Sequence, residues 1–463
     1  MILPVSRIST FIVLLIAIVF TSCEKYLEEK SNQKLVVPTT LADLQSLLDN
    51  YMRVNQADPS AGERSADNYY LTYNDWSGIT ETERRVYTWE KDYLFNRGNS
   101  NDWGASYDNV YRANTVLDHL DKITRAGNDQ NDWNNVKGQA LFLRAKSFLQ
   151  VAHIWALQYD PNTASTTLGI PLRLGTDINE VSTRATLQET YDRIIQDLMA
   201  AIGLLPNTAL HKLRPARPAA LSLLARCYLS MRNYDSCWKY SDQSLRLDNS
   251  LLTYNNITVL SNTSTTASSF ERFNPEVLYD SYMATSSSLA NSRAKIDSTL
   301  YLSYALSDRR RGLFFRPNPA PNSATYRFRG SYAGPGGGLF SGIANDEVYL
   351  MRAECYARAG KTAEAMADLN ALLSKRWTGT YTALQATDAT DALNKILVER
   401  RKELLMRGLR WMDIKRLNAE GANITLRRIL NTQTYTLPPN DLRFALAIPE
   451  DVIELSGMQQ NPR

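Results

Sequence analysis

The sequence predicts an all-α fold, a scaffold of helical hairpins that carries large irregular loop inserts. Three observations point there. Apolar residues recur at helical spacing in several long blocks. Two of those blocks repeat each other without gaps: Ala225, Cys227, Tyr228 and Cys237 align with Ala353, Cys355, Tyr356 and Ala365, each offset by 128 residues. Between them lies a stretch, 251–343, rich in Ser, Thr, Asn, Gly and Pro, a composition that marks loops.

Taken in order, the elements justify this reading. Pro38-Thr39-Thr40 precedes Leu41, Leu44, Leu47 and Leu48, and Thr40 is placed to cap that helix. Residues 67–91 are polar and aromatic without clean periodicity, and read as loop with short irregular elements. Helical patterning returns over 103–120 and 136–157, and Gly169-Ile170-Pro171 ends that pair. A helix over 187–205 stops at Pro206, and 219–231 and 234–247 form a further pair. Both copies of the repeat read small-x-x-Tyr, with another small residue nine positions after the Tyr. Small side chains let two helices cross closely while Tyr fills the space beside them. This resembles the helix-turn-helix unit of tetratricopeptide repeats. Gly360 stands at the turn of the second copy. Leu143-Arg144-Ala145-x-x-Phe148 is a weaker third copy.

The N-terminus carries a compartment signal. Arg7 precedes a short apolar run, Phe11 to Phe20, then Thr21, Ser22 and Cys23. A basic start, a brief apolar stretch and small residues describe a secretory signal peptide, too short to span a bilayer. A Cys at the cut suggests a bacterial lipoprotein, cleaved before Cys23 and acylated on its thiol; an ordinary signal peptide with a chance Cys is the plainer alternative. Residues 1–22 are therefore expected to be removed and 23–34 to form a polar tether. Residues 35–463 are read as one domain, with a helical part 35–250, the insert 251–343 and a C-terminal part 344–463.

Composition excludes several classes. The 463 residues suffice for a large core. The formal net charge of +4, about +3 without Arg7, is too small to argue for nucleic acid. No second apolar run is long enough for a transmembrane helix, so membrane attachment rests on lipid at Cys23. Beyond Cys23 there are three cysteines, an odd number that cannot pair completely within one chain. Buried free thiols are expected, with a Cys227–Cys237 bridge left open. His119, His153 and His211 form no zinc spacing, and no metal or cofactor is expected, though structural calcium stays open. His153, beside Trp155 on an apolar helix, reads as a satisfied core residue. Gly334–Gly338 lacks the frame of a phosphate loop and reads as a flexible tip.

The charged block near the C-terminus is the most specific motif. It runs Glu-Arg-Arg-Lys-Glu-Leu-Leu-Met-Arg-Gly-Leu-Arg-Trp-Met-Asp-Ile-Lys-Arg-Leu over 399–417, and includes Glu399, Arg400, Glu403, Gly408, Arg410, Trp411, Asp413 and Arg416. A solvated helix would show such alternation. Interleaving with Leu404, Trp411 and Ile414 suggests instead a partly buried ion network. The block resembles the Glu-Arg-Arg-x-Glu-Leu…Gly-x-Arg-Trp-x-Asp-Leu-x-Arg signature of the SusD/RagB family of outer-membrane lipoproteins. Other segments agree in order. They are Trp103…Tyr107…Val110…Ala113-Asn114, Gly138-Gln139-Ala140…Phe142-Leu143-Arg144-Ala145, Arg184-Ala185-Thr186…Tyr191, Glu347-Val348-Tyr349-Leu350-x-Arg352-Ala353-Glu354, and Ala447-Ile448-Pro449…Gln460-Asn461-Pro462. Gln139 stands where Glu is usual, and Arg407 where an acidic residue is frequent.

The resemblance implies a SusD-like protein exposed at the cell surface and tethered to the outer membrane by lipid. Such a protein binds oligosaccharide, or in some members peptide. It delivers its cargo as the lid of a SusC-like TonB-dependent transporter, and it is not an enzyme. A helical-repeat envelope scaffold without nutrient capture, and a hydrolase, are the competing classes. Sugar binding wants flat aromatic faces with Asn, Asp or Arg at the rim. Tyr73, Asn74 and Trp76, followed by Arg85 and Trp89, supply that mixture, and Tyr282 and Tyr332 are the expected contributors from the insert.

Overall fold

The computed structural model describes residues 38–98, 100–123 and 129–463. The expected signal peptide, Cys23 and the expected tether lie outside the described residues. Thr40–Arg463 clusters as one unit by internal contacts.

Among the described residues, ten helices of eight or more residues build the scaffold: α1 Leu41–Leu48, α2 Asp102–Leu120, α3 Gln130–Trp155, α4 Leu187–Leu204, α5 Arg217–Ser230, α6 Tyr234–Leu247, α7 Asn345–Arg358, α8 Thr362–Ser374, α9 Ala389–Glu403 and α10 Arg410–Asn418. Thr40 caps α1 as expected: its Oγ1 accepts from the Asp43 amide at 3.1 Å while the Asp43 carboxylate accepts from the Thr40 amide at 3.0 Å. Consecutive helices α2 to α6 pack in antiparallel pairs, and α6 packs against α7. The main core follows from this stacking, with Val110, Phe142, Phe148, Ile194, Leu198, Leu224 and Val348 all but inaccessible.

The sequence repeat extends into the turns. Arg232 ends the first copy with φ 63°, and Gly360 ends the second with φ 74°, again 128 residues apart. In both, the left-handed residue donates to the carbonyl three back, Leu229 and Ala357, at 3.0 Å. The next residue donates to Tyr228 or Tyr356 at 2.9 Å. These bonds satisfy the carbonyls a helix end leaves open. Cys227, Cys237 and Cys355 are free and buried. Burial, with Cys237 as a neighbour, raises the Cys355 thiol's pKa.

Two segments gain detail that the sequence reading left out. The block 399–417 is not one helix: α9 stops at Glu403 and α10 starts at Arg410. Met406 and Gly408, at φ 57° and 75°, turn the chain between them. The Gly334–Gly338 segment is a hydrogen-bonded turn, with Gly337 N donating to the Gly334 carbonyl and Ala267 N to the Pro335 carbonyl.

The insert has its own core, and that core is aromatic. Tyr254, Phe270, Tyr304, Phe314, Phe328, Tyr332 and Phe340 are buried together. With few aliphatic residues available, rings supply the apolar surface that a loop-rich segment must bury to hold one conformation. Short antiparallel ribbons tie the insert down. Ile343–Ala344 pairs with Val277–Tyr279 at its neck, and Lys295–Ile296 pairs with Tyr69–Tyr70 of the N-terminal aromatic segment.

Candidate ligand site

The segment 67–91 folds into two short helices, Tyr73–Ser77 and Glu81–Tyr87, after the strand Tyr69–Tyr70. Thr72 and Asp75 form a capping box at the first helix. The Asp75 carboxylate also accepts from Lys295 Nζ at 2.5 Å, across from the insert strand. Burial raises the Asp75 pKa, but the hydrogen bonds from Lys295 and Thr72 outweigh it and hold the carboxyl below its usual range. The helix is thus bolted to the insert, and it presents Tyr73, 43% exposed, and the half-buried Trp76 as a ledge. Their ring centroids are 5.8 Å apart with planes at 39°. The Arg84 guanidinium sits 5.6 Å from the Trp76 ring. Asn74 is exposed on the same helix. Tyr435, from the Gln433–Leu437 strand, lies close by: burial, Glu90 and Tyr73 together raise its pKa. Arg85 is committed elsewhere, donating to the Asp92 carboxylate and, at 2.8 Å, to the Asp92 carbonyl.

The remaining expected ring contacts are packed inside. Trp89 is 1% exposed; its indole N–H donates to the Ser65 carbonyl at 3.0 Å, and Arg428 lies 5.1 Å from its ring. Tyr332 is fully buried; its hydroxyl donates to Glu276, and Arg407 stacks 4.3 Å away. Tyr282 is covered by Arg272 at 4.8 Å. So the structure brings Tyr73, Asn74 and Trp76 together at the surface, and assigns Trp89, Tyr282 and Tyr332 to packing.

Next to this ledge, the Glu81–Tyr87 helix closes on the insert. Glu83 Oε1 accepts from Ser286 Oγ and from the Ser287 amide, both at 2.8 Å. Two cavities meet here and share Thr285 and Ser286. One, of ≈ 190 Å³, reaches Glu83, Asn96 and Asn101. The other, of ≈ 200 Å³, lies inside the insert between Leu289, Asn291, Phe328, Arg329 and Gly338. Sequence reading passed over Lys295, Glu83 and Arg329, because a lone charge in a Ser-rich loop carries no periodic signal. The alternation Tyr326-Arg327-Phe328-Arg329 was the available clue.

A larger cavity, ≈ 520 Å³, lies at the hairpin turns beside Arg232, Tyr234 and Cys355. Its rings are occupied: Tyr159 packs on Tyr191 at 5.0 Å, and Arg358 covers Tyr234 at 4.1 Å. It therefore offers no free aromatic face. Among the described residues, no cluster of three or more His, Cys, Asp or Glu side chains could hold a metal ion. His153 differs from expectation, since its Nε2 is buried with no hydrogen-bond partner among the described residues.

The charged block joins every part of the fold. Arg400 Nε donates to Asp413 at 2.9 Å, and Arg416 bridges Asp413 to Glu354 of α7. Glu399 and Glu403 take Arg310 of the insert at 2.6 and 2.9 Å. Arg410 grips Asp67 at 2.7 Å, and the Gly408 amide donates to Glu63 at 2.9 Å. Trp411 donates to the Phe444 carbonyl at 3.2 Å. The two unusual positions are accommodated as well: Arg407 pairs with Asp346 at 2.7 Å, and Gln139 exchanges hydrogen bonds with Gln45 at 3.0 Å.

Comparison with known proteins agrees with this architecture. Residues 25–229 match a family model described as starch-binding associating with outer membrane, and residues 346–451 match the model of the SusD family. No curated protein sequence matches the chain. Among solved structures, a SusD superfamily protein from Bacteroides thetaiotaomicron superposes with a TM-score of 0.73 at 20% identity, covering 92% of this chain and all of the other. A SusD-like carbohydrate binding protein from Bacteroides vulgatus gives 0.65 at 21% identity, covering 90% and 97%. Surface glycan-binding protein A from Bacteroides uniformis gives 0.65 at 16%, covering 91% and 99%. At these identities the superpositions establish the fold.

Proposed function

This chain belongs to the SusD/RagB family, and from that premise we propose that it captures oligosaccharide at the outer-membrane surface and passes it to a TonB-dependent transporter. It acts as a binding protein, not as an enzyme. Cys23 carries the lipid that tethers it, and no helix among the described residues is long and apolar enough to cross a membrane. The observation that carries the reading is the Tyr73–Trp76 ledge. Two rings 5.8 Å apart are held open on a helix whose first turn is fixed through Asp75, by Thr72 and by Lys295. Flat rings match the C–H faces of a pyranose, and the exposed Asn74 amide and the cleft serines match its hydroxyls. Locking the helix in advance reduces the ordering that binding must impose.

The test is calorimetric titration of the purified protein against neutral and acidic oligosaccharides and against peptides. Saccharide binding that Trp76→Ala weakens is the expected result. Binding of peptides alone would replace oligosaccharide by peptide as the cargo, and cleavage products would make it an enzyme. Recovery of a TonB-dependent barrel with the tagged protein from solubilised envelopes tests the delivery step; its absence would favour a free-standing binder.

A further inference from the structure

The insert concentrates positive charge. Residues 251–343 contain nine Arg and Lys against five Asp and Glu, a surplus of +4 that equals the formal net charge of the whole chain. Much of it is paired. Arg272, Lys295 and Arg310 each meet a carboxylate. Arg316, Arg327 and Arg329 do not: none has an ion-pair partner among the described residues.

These three share one face of a ribbon. Phe315–Pro317 pairs antiparallel with Tyr326–Phe328, with Arg316 opposite Arg327 and Phe315 opposite Phe328. Side chains alternate along a strand, so Phe315 and Phe328 enter the aromatic core while the arginines take the other side. Arg316 donates to the Ser264 and Asn262 carbonyls, and Arg329 Nη1 to the Leu260 carbonyl at 3.1 Å. Carbonyl dipoles satisfy some donors without cancelling the charge. Arg329 is 4% exposed and lines the insert cavity, yet its Nε and Nη2 have no hydrogen-bond partner among the described residues. Arg327 makes no side-chain hydrogen bond among the described residues. Burial and the neighbouring arginines lower the pKa of Arg329. Guanidinium groups do not deprotonate in proteins, so an uncompensated buried one is held at a standing cost that an anion would remove. Planar guanidinium groups match carboxylate and sulfate oxygens in bidentate geometry.

We propose that Arg316, Arg327 and Arg329 receive the anionic group of an acidic oligosaccharide, a uronate carboxylate or a sulfate ester, on this side of the ribbon, next to the insert cavity that Arg329 lines. The assignment rests on the oligosaccharide reading above and narrows its substrate class. Arg327 gives the clean variant, because it braces no loop. Titrations would compare an oligogalacturonide, a chondroitin sulfate oligosaccharide and a neutral malto-oligosaccharide, using the wild-type protein, Arg327→Gln and Arg327→Lys. A preference of about tenfold or more for one acidic ligand over the neutral one is expected, falling as salt is raised. Arg327→Gln should collapse that ratio towards one, and Arg327→Lys should keep most of it. Which acidic ligand binds identifies carboxylate or sulfate. In parallel, sodium sulfate should raise the melting temperature of the wild type more than that of Arg327→Gln, relative to chloride at equal ionic strength, since the general stabilising effect of sulfate acts on both. Equal binding of neutral and acidic ligands would overturn the acidic assignment and leave oligosaccharide capture standing. A sulfate effect with no saccharide bound, or binding of acidic peptides alone, would overturn both. Absence of any anion effect overturns the site outright.

Discussion

Arg376 Nε donates to Glu403 Oε1 at 2.7 Å in a place where neither side chain touches solvent. Arg376 Nη2 reaches Glu276 at 2.8 Å, and Arg310 takes the second oxygen of Glu403 at 2.9 Å. One residue of the C-terminal signature therefore ties together α9, the end of α8 and the insert. Burial raises the Glu403 pKa, but Arg376, Arg310 and Arg407 overcome it and keep the carboxyl below its usual range.

Removing one member of such a network leaves buried charge behind. Glu403→Ala should destabilise the protein by about 3–5 kcal/mol, read from chemical denaturation. A loss under 1 kcal/mol would show that the network is dispensable for folding.

Two tryptophans, Trp76 on the helix Tyr73–Ser77 and Trp89 just beyond the helix Glu81–Tyr87, should separate binding from stability. Trp89 is buried to 1% exposure, and Trp89→Ala should destabilise by about 3–5 kcal/mol. Trp76 stands half-buried on the ledge, and Trp76→Ala should weaken saccharide binding with little change in melting temperature. A large fall in melting temperature for Trp76→Ala would make that ring part of the core.

His153 predicts acid sensitivity. Burial, with Lys415 and Arg226 nearby, pushes its pKa down to about 3. Unfolding restores the ordinary value, so below about pH 6.5 the unfolded chain binds the extra proton and stability falls as pH drops towards 3. At pH 4 this one group should cost on the order of 2–3 kcal/mol, in addition to losses from paired carboxylates. His153→Asn should flatten the wild-type dependence between pH 6.5 and 4; parallel pH curves would mean that His153 is not the group responsible.

The proposed lipid attachment at Cys23 has a direct test. Cys23→Ala should move the protein from the membrane fraction to the soluble fraction and abolish incorporation of labelled fatty acid. Tight membrane association in the variant would place the attachment elsewhere.

Much of the scaffold was legible in the chain because helices announce themselves locally. Thr40, the stop at Pro206, and the offset that joins Arg232 to Gly360 all act through neighbours a few residues away. The insert was legible as loop, but not its interior. Tyr332 and Tyr73 look alike in sequence, and no local pattern says that one hydroxyl will meet Glu276 while the other ring stays at the surface. The break at Met406–Gly408 was hidden for a related reason: charges at helical spacing continue across it, and only the positive φ values reveal the turn.

By itself the sequence determined the helical hairpins, their repeat, the family signature and the apolar, Cys23-bearing start, since each is written in short-range spacing. Only the tertiary structure decided which aromatics face solvent, that Lys295 locks the Tyr73–Trp76 ledge, and that three arginines share one face of a ribbon without a carboxylate. Burial and ion pairing join residues far apart in the chain, 220 positions in the case of Asp75 and Lys295, and that distance is closed only by folding.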